Sequence, residues 1–89
     1  YISTFDITNP YPNPFNPSTK INISVPFSGN VNISIYDING NLVEELHDSF
    51  LSSGEHVVDW NAANHSSGIY FINISYQNNI ITKKAILMK

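Results

Sequence analysis

Four of the chain's five prolines fall in the segment Asn9-Pro10-Tyr11-Pro12-Asn13-Pro14-Phe15-Asn16-Pro17-Ser18-Thr19, and regular apolar/polar alternation, Ile21, Ile23, Val25, begins directly after it. Proline fixes its own φ, lacks an N–H and pushes the preceding residue out of the α region, so this density forbids a helix and disfavours a central strand. The segment reads as a stiff, extended lead-in to a β domain. A plain linker of this kind carries Gly, Ser or charge; here Tyr11 and Phe15 supply rings that gain by packing on the adjoining domain. The expectation is a docked lead-in.

The alternation recurs over residues 19–25, 31–37 and 69–76, with β-branched residues on one parity and Asn, Ser or Thr on the other, the mark of half-buried antiparallel strands. Pro26 and Gly29 mark a first turn, and Asn39-Gly40 is the strongest short hairpin signal, with residues 42–46 as the returning strand. Ser52-Ser53-Gly54 precedes a strand over 55–61, where Val58 and Trp60 share a face, and Asn78-Asn79 precedes a last strand over 80–88. Residues 2–7 supply a further strand with Phe5 and Ile7 inward. No helical period occurs, so the fold class is all-β, an immunoglobulin-like antiparallel β-sandwich of about seven strands. The echo of Ile-Asn-Ile-Ser at 21, of Val-Asn-Ile-Ser at 31 and of Ile-Asn-Ile-Ser at 72 is irregularly spaced and reflects shared alternation rather than an internal repeat.

At 89 residues the chain holds one domain, burying about 60–65% of its unfolded surface. An apolar fraction of 42% supports a core, while the 12% charged fraction leaves solubility to Asn and Ser. Without cysteine there is neither a disulfide nor a thiolate metal site, so an exported domain of this kind stands on packing alone, which suits a bacterial surface. No initiator Met, leader or apolar run near the ~20 residues of a membrane helix is present, and the chain reads as a piece of something longer, not a transmembrane protein. Residues 1–80 carry all seven acids against Lys20 alone, whereas Lys83, Lys84 and Lys89 follow with no acid. With no Arg and a pI near 5.3, the basic footprint of a nucleic-acid binder is missing.

Motifs with chemical potential each have a plainer reading. Asp37, Asn39 and Asn41 match the start of a calcium loop, but Leu42 stands where Gly is required and Asp48 where a bidentate Glu is required, so a hairpin explains them. His47, His56 and His65 are too dispersed for a ligand pair and read as surface or turn residues. No nucleophile elbow accompanies the Ser, His and Asp present, and a catalytic cleft would consume the core of so small a domain, so no enzyme activity, metal or cofactor is expected. Sequons at Asn22, Asn32, Asn64 and Asn73 arise freely in an Asn- and Ser-rich chain, and three sit on sheet faces, which are poor glycan acceptors. Trp60 offers a stacking surface for sugars, yet its parity with Val58 favours the core. Lys83 and Lys84 gate the edge of the last strand against aggregation and equally suit recognition by strand addition.

The ordered set of motifs resembles the type A C-terminal sorting domain of the bacterial type IX (Por) secretion system, related in fold to the immunoglobulin-like domain of flagellar hook-capping proteins. The residues that carry the resemblance are Tyr11-Pro12-Asn13-Pro14-Phe15-Asn16-Pro17-Ser18-Thr19, Tyr36-Asp37-Ile38-Asn39-Gly40, Gly54-Glu55-His56 leading to Trp60, Ser67-Gly68-Ile69-Tyr70-Phe71, and Lys83-Lys84-Ala85-Ile86-Leu87-Met88-Lys89. The resemblance covers residues 9–89 in the family's order; Asn61-Ala62 departs from the polar residue and Gly often found after the Trp. Residues 1–8 read as a linker or first strand from a preceding cargo domain.

The resemblance implies a non-catalytic signal carried by an exported protein through the periplasm to the cell surface or beyond. It implies as partners the type IX translocon and its shuttle proteins, an N-terminal cargo domain, and a surface sortase that cleaves just upstream. By the same resemblance, recognition falls to Gly68, Ile69 and Tyr70 and to Lys83, Lys84, Ile86, Leu87 and Lys89, while Pro12, Asn13, Pro14, Phe15, Asn16, Pro17, Asp37, Gly40 and Trp60 are structural. Deleting residues 85–89 is expected to abolish export and leave the domain largely folded. The other readings are an immunoglobulin-like carbohydrate-binding module using Trp60, and a structural spacer.

Overall fold

A computed structural model describes residues 4–89. It has seven strands and, among the described residues, no helix: β1 (Asp6–Ile7), β2 (Ser18–Val25), β3 (Gly29–Asp37), β4 (Leu42–Leu51), β5 (Gly54–Asn61), β6 (Gly68–Tyr76) and β7 (Asn79–Leu87). They form two antiparallel sheets, ordered β1-β2-β5 and β4-β3-β6-β7. The alternation has the expected consequence. Ile21, Ile23 and Val25 of β2, Val31, Ile33 and Ile35 of β3, and Tyr70, Ile72, Ile74 and Tyr76 of β6 are buried in one core between the sheets, with Trp60, Ala85 and Leu87. The all-β sandwich read from the sequence is the observed fold.

The hairpin at Asn39-Gly40 is found where expected, and two local expectations are corrected. The β3–β4 hairpin forms, but only Gly40 has positive φ, at 82°. Its amide donates to Asp37 O at 3.0 Å, while the Asp37 carboxylate accepts from the amides of Asn39 and Asn41, each at 2.9 Å. This is a turn over residues 37–41 closed by a left-handed glycine. β4 runs to Leu51 rather than ending at 46: it carries two bulges opposite Ile33/Ser34 and Ile35/Tyr36, and its pairing with β3 continues beyond them to Gly29↔Leu51. The extra residues, Val43 and Leu46, both pack on the core although three positions apart, which regular alternation forbids. The expected first strand over 2–7 is a described strand only at Asp6–Ile7, with Ile7 buried and Phe5 stacked on Tyr76 at 4.6 Å; Ile2 and Ser3 lie outside the described residues.

The lead-in docks, as expected, but through one ring of two. Phe15 is 2% exposed in the core, whereas Tyr11 is 74% exposed and contributes its backbone, pairing with Lys20. Nor is the lead-in a straight spacer. It follows β2 as far as Tyr11, where Thr19 Oγ1 donates to Pro12 O at 2.8 Å, then crosses to the other sheet and lies along β7. The Tyr11–Pro12, Asn13–Pro14 and Asn16–Pro17 bonds are cis.

Candidate functional site

β7 is an edge strand: β6 flanks it on one side and no full strand flanks it on the other. Its outer edge is nevertheless half occupied. Asn13 Nδ2 donates to Lys84 O at 3.0 Å and Asn13 Oδ1 accepts from Ile86 N at 2.9 Å, so one side-chain amide supplies a donor and an acceptor in the places a neighbouring strand would. Phe15 continues the mimicry, its N–H donating to Ile86 O and its carbonyl accepting from Met88 N, both at 2.9 Å. Between them Pro14 has no N–H to leave unpaired. The motif Asn13-Pro14-Phe15 is thus a strand substitute that seals residues 84–88.

The ring of Phe15 enters an aromatic cluster at the same end of the sandwich. It meets Trp60 at 5.4 Å between centroids, and Trp60 meets Tyr70 edge-on at 5.4 Å and His65 at 5.9 Å. Trp60 is 1% exposed, and its Nε1–H donates to Glu44 Oε1 at 3.2 Å, an oxygen that also lies 3.1 Å from His65 Nε2. Trp60 is therefore core, as its parity indicates, and is not a stacking platform. Tyr70 OH donates to Ser66 O at 2.6 Å, the tyrosine-corner arrangement of immunoglobulin-like sandwiches, in which a ring near the start of a strand ties down the preceding loop.

This geometry divides the residues assigned to recognition. Tyr70 and Leu87 point into the core, so their effect runs through the fold. Ile69 and Ile86 pair across β6 and β7 on the outer face of the four-stranded sheet, next to a cross-strand row of Leu42, Tyr36, Phe71 and Lys84. Gly68 is exposed at the start of β6. Lys83 faces the seam between the sheets, its Nζ 3.2 Å from Asn9 Oδ1, whereas Lys84 is exposed on the outer face. Lys89 is tied to the loop before β6: its N–H donates to Ser67 Oγ at 3.0 Å and its Nζ to Ala63 O at 2.6 Å. The contacts argue against the expectation that loss of residues 85–89 spares the fold, because Ala85 and Leu87 are fully buried and Ile86 and Met88 hold the lead-in.

Of the structural set, Asn13, Phe15, Asp37, Gly40 and Trp60 have the contacts given above. Pro12 and Pro17 offer carbonyls, Pro12 to Thr19 and Pro17 to Ala62 N at 2.9 Å, and Asn16 is exposed between them. Asn13 is the residue whose role the sequence hid. The signal that marks it is an amide side chain set beside proline in a segment with no strand of its own.

His47 and His56 sit on strands with their rings against nearby backbone carbonyls, of Ser49 at 3.2 Å and Ser52 at 2.7 Å. No group of three metal-ligating side chains occurs among the described residues, and no helix there is long and apolar enough to cross a membrane. A search of curated proteins finds no match. The family model for the secretion system C-terminal sorting domain matches residues 9–88. That span begins at the lead-in and ends on the strand it clamps, and the chain accordingly belongs to the C-terminal sorting domains of type IX secretion, the signals by which a protein is marked for export.

Proposed function

We propose that this domain is a non-catalytic address, read in its folded form by the type IX translocon and its shuttle proteins, and that the cargo is then released or anchored at the cell surface. One observation carries the reading: residues from both ends of the matched span meet on β7, an edge strand whose outer face presents Lys84 and Ile86 beside Ile69. The recognition surface is the exposed part of the assigned set, namely Gly68, Ile69, Lys84 and Lys89, with the half-buried Ile86 between them and Tyr70 and Leu87 holding them in place. A rigid sheet edge suits this role because main-chain pairing supplies affinity and alternate side chains supply specificity. In this reading cleavage by a surface sortase falls at or before residues 1–8, which precede the matched region.

The test is a fusion of residues 1–89 to a fluorescent reporter bearing a periplasmic leader, expressed in a host that has the system. Surface delivery of the reporter is the expected result. Retention in the periplasm with the domain folded refutes the proposal. The carbohydrate-binding alternative loses its platform with Trp60 buried, and no other observation favours it.

A further inference from the structure

Every free sheet edge invites pairing with another chain, and natural sheets blunt their edges with bulges, charge, proline or brevity. This sandwich does so nearly everywhere. β4 carries two bulges and the acids Glu45 and Asp48; β5 carries Glu55 and Asp59; β1 is two residues long; and residues 84–88 of β7 are sealed by Asn13 and Phe15. The exception is the first half of β7. Ile80, Ile81 and Thr82 are uncharged, and the β6–β7 pairing is unbroken from Gly68↔Leu87 to Tyr76↔Asn79, with no bulge.

The direction of the exposed backbone follows from the clamp. Ile86 N and O both face the lead-in, and strand geometry repeats every second residue, so the groups of Lys84, Thr82 and Ile80 face the same way. Only the carbonyl of Lys84 has a partner there among the described residues, leaving its N–H and both groups of Thr82 and of Ile80. Beside this edge, at the far end of the sandwich from the aromatic cluster, lies a cleft of about 420 Å³ lined by Phe5, Phe27, Tyr76, Ile80 and Ile81 together with the polar Thr4, Gln77 and Asn79.

We infer that residues 79–84 form a docking edge that accepts, as an added strand, an extended segment of another protein bearing a carboxylate opposite Lys84 and an apolar side chain for the cleft at Phe27 and Ile80. This rests on the reading of β7 as the recognised strand and narrows it from the terminal residues to the first half. Charge selects the occupant. The only basic strip on an otherwise acidic domain borders this edge, so an acidic strand is attracted. A second copy would bring its own Lys83 and Lys84 to the same ribbon and press two acidic bodies together.

Proline at an outward-facing position removes one edge donor without touching the β6 ladder, which makes Thr82→Pro and Ile80→Pro the direct test, with Thr82→Ala as control. In the reporter fusion, surface delivery should fall about tenfold for either proline variant, the order expected when a donor is lost opposite a buried acceptor. T82A keeps the amide donor and should be delivered better than T82P, the proline variants should melt within a few degrees of the parent, and Lys84→Glu should reduce delivery while Lys84→Gln reduces it less. Normal delivery of folded T82P and I80P overturns the docking edge. If delivery is then still lost in Ile69→Asp or K84E, recognition at the outer face stands; if it survives there too, both readings fall. A measurement on the unaltered chain serves should the proline variants unfold: the amides of Ile80 and Thr82 should exchange freely, and slow exchange overturns the open edge. Sedimentation showing a dimer abolished by T82P assigns the edge to a second copy and overturns the acidic partner.

Discussion

Replacing Asn13 with alanine separates the clamp from the rest of the lead-in. The change deletes the donor to Lys84 O at 3.0 Å and the acceptor for Ile86 N at 2.9 Å, and leaves the Phe15 backbone bonds and the buried ring intact. Each bond contributes about 0.5–1.5 kcal/mol net, and both are exposed, so water replaces part of what is lost. The expected cost is about 1.5 kcal/mol. Against a stability of roughly 5–13 kcal/mol for a chain of this length, that lowers the melting temperature by about 6–12 °C. Asn13→Asp should cost more than alanine, because the carboxylate keeps the acceptor for Ile86 yet sets an oxygen against the Lys84 carbonyl. Thermal melts by circular dichroism give the stability, and amide exchange gives the mechanism: Ile86 should exchange faster in N13A and remain protected in N13D. An N13A protein that melts within about 2 °C of the parent, with Ile86 still protected, would refute the strand-substitute account.

Deleting residues 85–89 removes Leu87 and Ala85 from the core and strips Phe15 of both backbone partners, so the truncated chain should lose its cooperative melt, as calorimetry would show. Trp60→Phe leaves the Glu44 carboxylate without its indole donor and the core short of ring volume; urea denaturation should report a loss of about 2–4 kcal/mol. Gly40→Ala should cost about 1–2 kcal/mol through backbone strain alone, since an added Cβ meets nothing within 4 Å, and Gly40→Asn should recover part of that in the same melt.

The core was legible because alternation is a direct readout of which side chains face inward: Ile21, Ile23, Val31, Ile33, Ile72 and Ile74 all land where period two puts them. Trp60 was legible for the same reason. β4 was not, because its bulges reset the parity between Val43 and Leu46, and a period test reads such a reset as the end of a strand. The split fate of Tyr11 and Phe15 was also hidden; sequence shows that a ring gains by burial but not which backbone path brings it there. For the site, motif resemblance points to β7, whereas the division of its residues between core and surface, and the sealing of half its edge by Asn13, depend on contacts across more than seventy positions of chain.

The clamp joins an early part of the chain to the strand synthesised last of the seven, and this sets the order in which the molecule can be completed. While translation is under way, Phe15 has no ledge to rest on and the four-stranded sheet lacks its final member. A polypeptide cut short by a premature stop therefore emerges with an unfinished sandwich. Closure of the sandwich therefore waits until the message has been translated through β7.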